Sequence, residues 1–149
     1  MRAVVQRVKE AGVSVKGTLL GRMGKGVVVL LGIGQDDKEE DADYLLSKII
    51  NLRIFEDAQG KMNLSLKDVN GEMMVISQFT LYGDCRKGRR PSFIMAAEPS
   101  LAKKLYDYFI NQGEKAGIKT VAGKFQAMMD VNLINEGPVT LILDSRKVS

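Results

Sequence analysis

Val27 to Ile33 reads VVVLLGI, with no charged residue in it. An apolar run of this length is the pattern of a strand covered on both faces. Just downstream, Asp36 and Asp37 offer a helix N-cap, and Glu39 and Glu40 suit the positive end of a first turn. Ala42, Leu45, Leu46, Ile49 and Ile50 then recur at helical spacing, which predicts an amphipathic helix with one core face. Upstream the pattern is β. Met1 to Val8 and Val13 to Lys16 are strand-like, Gly12 and Gly17 punctuate them, and Gly21, Gly24 and Gly26 mark further turns.

Further along, Phe55 to Gly60 (FEDAQG) reads as a turn, and Glu72 to Phe79 as a strand whose buried part is MMVI. Pro91 to Pro99 is a connecting segment, and Pro99 suits the first position of a second helix. Leu101, Leu105, Tyr108 and Phe109 repeat through that helix, and Gly113 or Gly117 ends it. Lys119 to Ala122, Phe125 to Ile134 and Val139 to Asp144 return to β, with Gly137-Pro138 separating the last two. No repeat or linker interrupts the chain. The expectation is a single mixed α/β domain over residues 1–149 with two helices.

Composition narrows the chemistry. Hydrophobic residues make up 45% and charged residues 27%, the balance of a globular chain. No apolar run approaches the ~20 residues of a membrane span. MRAVVQRVKEAGV carries charges inside its strand pattern and does not read as a signal peptide, so a cytoplasmic protein is expected. Cys85 is the single cysteine, which leaves no internal disulfide and no cysteine-based zinc site. Histidine is absent. That removes Ser-His-Asp and Cys-His nucleophile systems and the commonest general base near neutral pH. Neither a metal nor an organic cofactor is expected. The net charge of +4 mildly favours an anionic partner.

Two segments stand out. Ser77-Gln78-Phe79-Thr80-Leu81 (SQFTL) places polar residues just after the apolar part of a strand. It is either a strand end with satisfied hydroxyls or a strand end whose N–H and hydroxyl groups face a pocket. Asn135 to Thr140 (NEGPVT) reads as a tight turn joining two strands. An X-Pro bond is cis in only about 5–6% of cases, so the residues alone favour trans.

Together the two segments resemble the paired signatures of the D-aminoacyl-tRNA deacylase family. MRAVVQRV, VVLLGI, KGRRPSF and LAKKLYDYF lie where that family has them, so the resemblance spans the whole chain. Glu136 departs from the Asp more usual before Gly-Pro. The resemblance implies a mixed-sheet, barrel-like fold with two helices, acting as a homodimer. It implies a cis Gly137-Pro138 bond whose loop reaches into the partner's pocket, which Ser77, Gln78, Phe79 and Thr80 line as catalytic residues. Backbone oxygens there would hold the α-ammonium of a D-amino acid and leave no room for an L side chain; glycine would be accepted.

The implied reaction is hydrolysis of the ester between the amino acid and the terminal adenosine of tRNA. N–H groups near Phe79 and Thr80 are candidates for stabilising the oxyanion, and the ribose 2′-hydroxyl for assisting water. Thr80 as a nucleophile is the alternative, but it needs a neighbouring base that the sequence does not show. Cys85 is a weaker one, with only Arg86 and Lys87 to lower its pKa. Phe125 resembles the aromatic that receives the adenine, or is a core phenylalanine. Arg7 resembles an arginine near the Gly-Pro loop, or is an exposed strand residue. Arg86, Lys87, Arg89 and Arg90 are a solvated loop or contacts for tRNA phosphates. Two other classes remain open at this point: a non-catalytic RNA-binding module and a purely structural dimer.

Overall fold

The computed structural model describes residues 1–147. Its elements run β1 (Arg2–Val15), β2 (Thr18–Met23), β3 (Gly26–Gly32), α1 (Glu39–Asn51), β4 (Phe55–Glu56), β5 (Met62–Leu64), β6 (Glu72–Ser77), a one-turn 3-10 helix (Phe79–Tyr82), α2 (Pro99–Lys115), β7 (Thr120–Ala122) and β8 (Asp130–Asp144). The strands of the main sheet follow the order β2-β1-β3-β6-β7, and β8 pairs with β1 on its other side. β1 is antiparallel to β2, β3 and β8, whereas β3-β6 and β6-β7 are parallel. Parallel neighbours need crossover connections, and these carry the two helices.

The sheet curls until its ends approach. A Cβ placed on Gly21 of β2 would stand 2.5 Å from Val121 Cγ1 of β7, so only glycine admits this closure. The result is a barrel-like mixed sheet with a core on each face. On the outer face α1 and α2 pack Leu45, Ile49, Leu105 and Phe109 against Val5, Val27, Val29, Leu31, Met73 and Val75. Inside the curl lie Val8, Ala11, Val13, Met23, Val28, Met74 and Ile76. β3 alternates between the two cores, which is why VVVLLGI carries no polar position.

Several boundaries differ from the sequence reading. β1 runs unbroken through Gly12, because the strand pairs there with both β2 and β8. Lys38, not Asp36 or Asp37, caps α1, and the Asp41 carboxylate accepts the Lys38 N–H at 2.8 Å. Asp37 is buried instead, accepting the Met1 amino group at 2.8 Å and the Gly34 N–H at 2.6 Å. Phe55 and Glu56 form a short strand before the turn rather than part of it. β6 stops at Ser77, and Phe79 already belongs to the 3-10 helix. Pro99 opens α2 as expected; Gly113 is buried inside that helix, and Gly117, at φ +86°, follows its end. Phe125 precedes β8 rather than opening it.

The largest difference concerns Gly137-Pro138. It does not reverse the chain. β8 continues through it, and both flanks pair with β1 in the same antiparallel sense. Gln6 faces Thr140 and Val8 faces Asn135, so Arg7 alone on β1 opposes Glu136, Gly137, Pro138 and Val139. The dipeptide that reads as a turn is an enlarged β-bulge.

Among the described residues, no helix is long and apolar enough to cross a membrane.

Candidate active site

β3, β6 and β7 point their carboxyl ends toward one end of the sheet, the usual place for a ligand crevice among parallel strands. SQFTL lies there. Gln78 N–H donates to Leu31 O at 2.8 Å, which fixes the exit from β6 beside β3. The chain then tightens into the 3-10 turn, where Leu81 N–H reaches Gln78 O at 3.2 Å. The N–H groups of Phe79 and Thr80 precede the first bond of that turn and have no acceptor among the described residues.

Both side chains are exposed. The Thr80 hydroxyl accepts a hydrogen bond from Gln78 Nε2, and among the described residues no carboxylate or amine reaches it. Phe79 is 55% exposed and meets Phe93 edge-on at 5.1 Å. Below them Tyr82 is buried, its phenol pushed well above the usual tyrosine range by burial and by nearby Asp37 and Asp144. Arg2 stacks over the Tyr82 ring at 4.5 Å and donates to Leu81 O at 2.9 Å, clamping the turn to β1. Neither contact was visible in the sequence, where Arg2 is one charge at the start of a strand.

The second motif sits further along β1, opposite Arg7 near the middle of the strand. The Gly137-Pro138 bond is cis, the isomer that the resemblance implies. Gly137 holds φ +123°, a region open to glycine but costly for other residues, and a Cβ there would stand 3.0 Å from Arg7 Nη2. Arg7 is buried, not exposed on its strand. It donates to Glu136 O at 3.2 Å and to Ile54 O at 2.8 Å, with the carboxylates of Glu136 and Glu56 at 3.6 and 3.8 Å. Gly137 and Pro138 themselves are exposed, lack partners on β1, and receive no side-chain hydrogen bond on their carbonyl oxygens among the described residues.

The two motifs do not meet within one chain. SQFTL folds over Arg2 and the loop over Arg7, and those residues are roughly 16 Å apart along β1 at ~3.3 Å per residue.

Phe125 follows β7 and so sits at the SQFTL end of the sheet. Its ring is half-buried, 6.1 Å from Tyr106 on one side and lining a surface cavity of ≈ 410 Å³ with Ser100, Lys103, Lys104 and Gln126 on the other. It is part of the core margin and part of an open wall. Arg86, Lys87, Arg89 and Arg90 form the tip of a loop closed by reciprocal Asp84–Ser92 backbone bonds of 2.7 and 2.9 Å. Arg86 pairs with Asp84 at 2.8 Å and holds that carboxyl down at about 2. Lys87, Arg89 and Arg90 have no carboxylate within ion-pair distance among the described residues. Cys85 is exposed in the same loop. No group of three or more metal-ligating side chains occurs among the described residues.

A family model described as D-Tyr-tRNA(Tyr) deacylase matches residues 4–144. The chain belongs to that family. A D-aminoacyl-tRNA deacylase of Thermosipho africanus (strain TCF52B) is 60% identical over 99% of both chains. One from Desulfatibacillum aliphaticivorans is 62% identical over 98% of this chain and 100% of its own. Among solved structures, one described as c-Myc DNA Unwinding Element Binding Protein superposes with a TM-score of 0.91 at 40% identity, covering 97% of this chain and 98% of the other. A probable eukaryotic D-amino acid tRNA deacylase superposes at 0.84 with 18% identity, covering 96% and 98%, and so shares the fold.

Proposed function

We propose that this member of the family is a D-aminoacyl-tRNA deacylase: a hydrolase that cleaves the ester joining D-amino acids, and glycine, to tRNA. It works as a cytoplasmic homodimer in which the Gly137-Pro138 loop of one subunit completes the pocket that Ser77, Gln78, Phe79 and Thr80 line in the other. The observation that carries this reading is the pairing of two unspent backbone sets. Among the described residues the N–H groups of Phe79 and Thr80 have no acceptor, and Gly137 and Pro138 have no register partner on β1 and no side-chain donor on their carbonyl oxygens, yet one chain holds the two sets apart, beside Arg2 and beside Arg7. A second copy supplies the missing half of each. β8 supports such a copy: among the described residues β1 is its one partner strand, and Ile142 and Ile134 are 64% and 48% exposed along it. A twofold pair then carries two equivalent sites.

The chemistry follows from what the site holds. The loop oxygens accept from the substrate's α-ammonium, and the backbone around them excludes an L side chain by contact, a rejection that ignores which D side chain is present. The Phe79 and Thr80 N–H groups stabilise the oxyanion of the tetrahedral intermediate; losing one such donor typically costs ~100-fold or more in rate. Gln78 occupies the Thr80 hydroxyl, and an amide cannot take its proton. That favours Thr80 as a positioning group and leaves water, assisted by the ribose 2′-hydroxyl, as the attacker. Phe125 offers its open face to the terminal adenine, and Lys87, Arg89 and Arg90 offer charge to acceptor-stem phosphates.

The test is release of D-tyrosine, L-tyrosine and glycine from tRNA, with a D-tyrosyl substrate ending in 2′-deoxyadenosine beside them. D-tyrosine and glycine are released, L-tyrosine is spared, and the deoxy substrate is slow. Equal rates on the two enantiomers refute the chiral pocket. Binding of uncharged tRNA without turnover refutes the hydrolase. Unchanged turnover on the deoxy substrate returns the attack to Thr80.

A further inference from the structure

We infer that Asn135 is a specificity-determining positioning residue: its side-chain amide locks the neck of the Gly137-Pro138 loop and thereby sets how strictly the pocket rejects L-amino acids. This rests on the deacylase reading above and goes beyond it by naming what holds the loop.

The bulge leaves four residues of β8 opposite Arg7, so the ordinary ladder cannot fix them. Asn135 supplies the absent bonds. Its Nδ2 donates to Arg7 O across the strand pair at 2.9 Å and to Val139 O across the neck of the loop at 3.0 Å. Its Oδ1 accepts the Thr140 hydroxyl at 3.2 Å, and Thr140 Oγ1 in turn accepts from Gln6 Nε2 at 3.3 Å. Both amide atoms are thus engaged, so the side chain has one orientation. The two ends of the loop, residues 135 and 139, are tied to each other and to β1, and Arg7 holds Glu136 O from below. Between these anchors, Gly137 and Pro138 stand exposed, with no register partner on β1 and no side-chain hydrogen bond among the described residues. A rejection by contact works only if the wall stays in place, because displacement by about 1 Å admits what the wall should exclude. Asn135 touches no substrate in this arrangement and acts through the position of that wall.

The experiment compares kcat/KM on D-tyrosyl- and L-tyrosyl-tRNA for the wild type, Asn135→Ala, Thr140→Val and Thr140→Ser, with Asn132→Ala as a control in the same strand. Losing the two Nδ2 bonds lowers the D-to-L ratio roughly tenfold or more in Asn135→Ala. The fall comes mainly from faster L-release. Thr140→Val, which frees the amide to rotate, gives a smaller fall; Thr140→Ser and Asn132→Ala keep the wild-type ratio. A folded Asn135→Ala whose ratio stays within about twofold of wild type overturns the inference. Should Asn135→Ala fail to fold, equal ratios for Thr140→Val and Thr140→Ser overturn it. A wild type that does not discriminate overturns the deacylase reading and this inference with it, an outcome distinct from the other two.

Discussion

Replacing Arg7 with methionine keeps the bulk of a long side chain and removes everything the guanidinium does. The side chain is 6% exposed, and its loss strands two carbonyl oxygens, Ile54 O and Glu136 O. Each orphaned buried acceptor costs roughly 1–3 kcal/mol, and the Glu136 site is only partly buried, so the sum is about 2–4 kcal/mol. The carboxylates of Glu56 and Glu136 also lose their cation, but they are 58% and 34% exposed and add little. For a chain of this size the change corresponds to a melting point about 10 °C lower. Arg7→Lys falls between, because an ammonium keeps the charge but cannot span both carbonyls as the planar fork does. Thermal denaturation followed by circular dichroism measures the stability, and D- and L-tyrosyl-tRNA hydrolysis reports the loop. Arg7→Met melting within about 2 °C of wild type, with an unchanged D-to-L ratio, refutes the reasoning.

Changing Lys87, Arg89 and Arg90 to glutamine lowers the slope of log affinity for tRNA against log salt by about 2–3, whereas Arg86→Gln, already neutralised by Asp84, changes it by less than about 1; filter binding from 50 to 300 mM salt, as rough bounds, separates the two. Burial pushes the Tyr106 phenol up to about 12, and its hydroxyl donates to Val75 O at 2.7 Å. Because the folded state holds that proton more tightly than the unfolded one, this contribution is complete below about pH 10 and is lost as pH rises toward 12. Tyr106→Phe therefore removes about 2 kcal/mol of alkaline pH dependence from denaturant titrations between those values. Gly21→Ala presses a methyl on Val121 where the barrel closes and destabilises by about 1–3 kcal/mol, and Val121→Ala in the same chain recovers most of it. Additive losses in that pair count against the closure.

What the sequence made legible was periodicity. VVVLLGI and the two amphipathic helices fall where their apolar spacing puts them, because burial on one or two faces is a local pattern. Gly12 and Gly137-Pro138 misled because glycine and proline do not say whether the chain turns, bulges or, as at Gly12, keeps its regular pairing. That depends on the register of the neighbouring strand, which here runs past both. Asp37 reads as a cap because a carboxylate before a helix usually is one; its partners, Met1 and Gly34, are fixed by the fold. The candidate site divides the same way. SQFTL, NEGPVT and the basic run are visible as residue types. The groups that hold them, Arg2 against the 3-10 turn, Arg7 and Asn135 around the loop, and Asp84 against Arg86, are contacts between distant or alternating positions and carry no periodic signature.

Subunit mixing tests the shared site most directly. Thr80→Pro removes one candidate oxyanion donor, and Gly137→Val forces a side chain into a backbone region that resists it. Each homodimer is inactive. After exchange at equal amounts about half the dimers are mixed, each with one intact composite site, so roughly a quarter of the wild-type D-tyrosyl-tRNA hydrolysis returns. A mixture as silent as its two components contradicts the account.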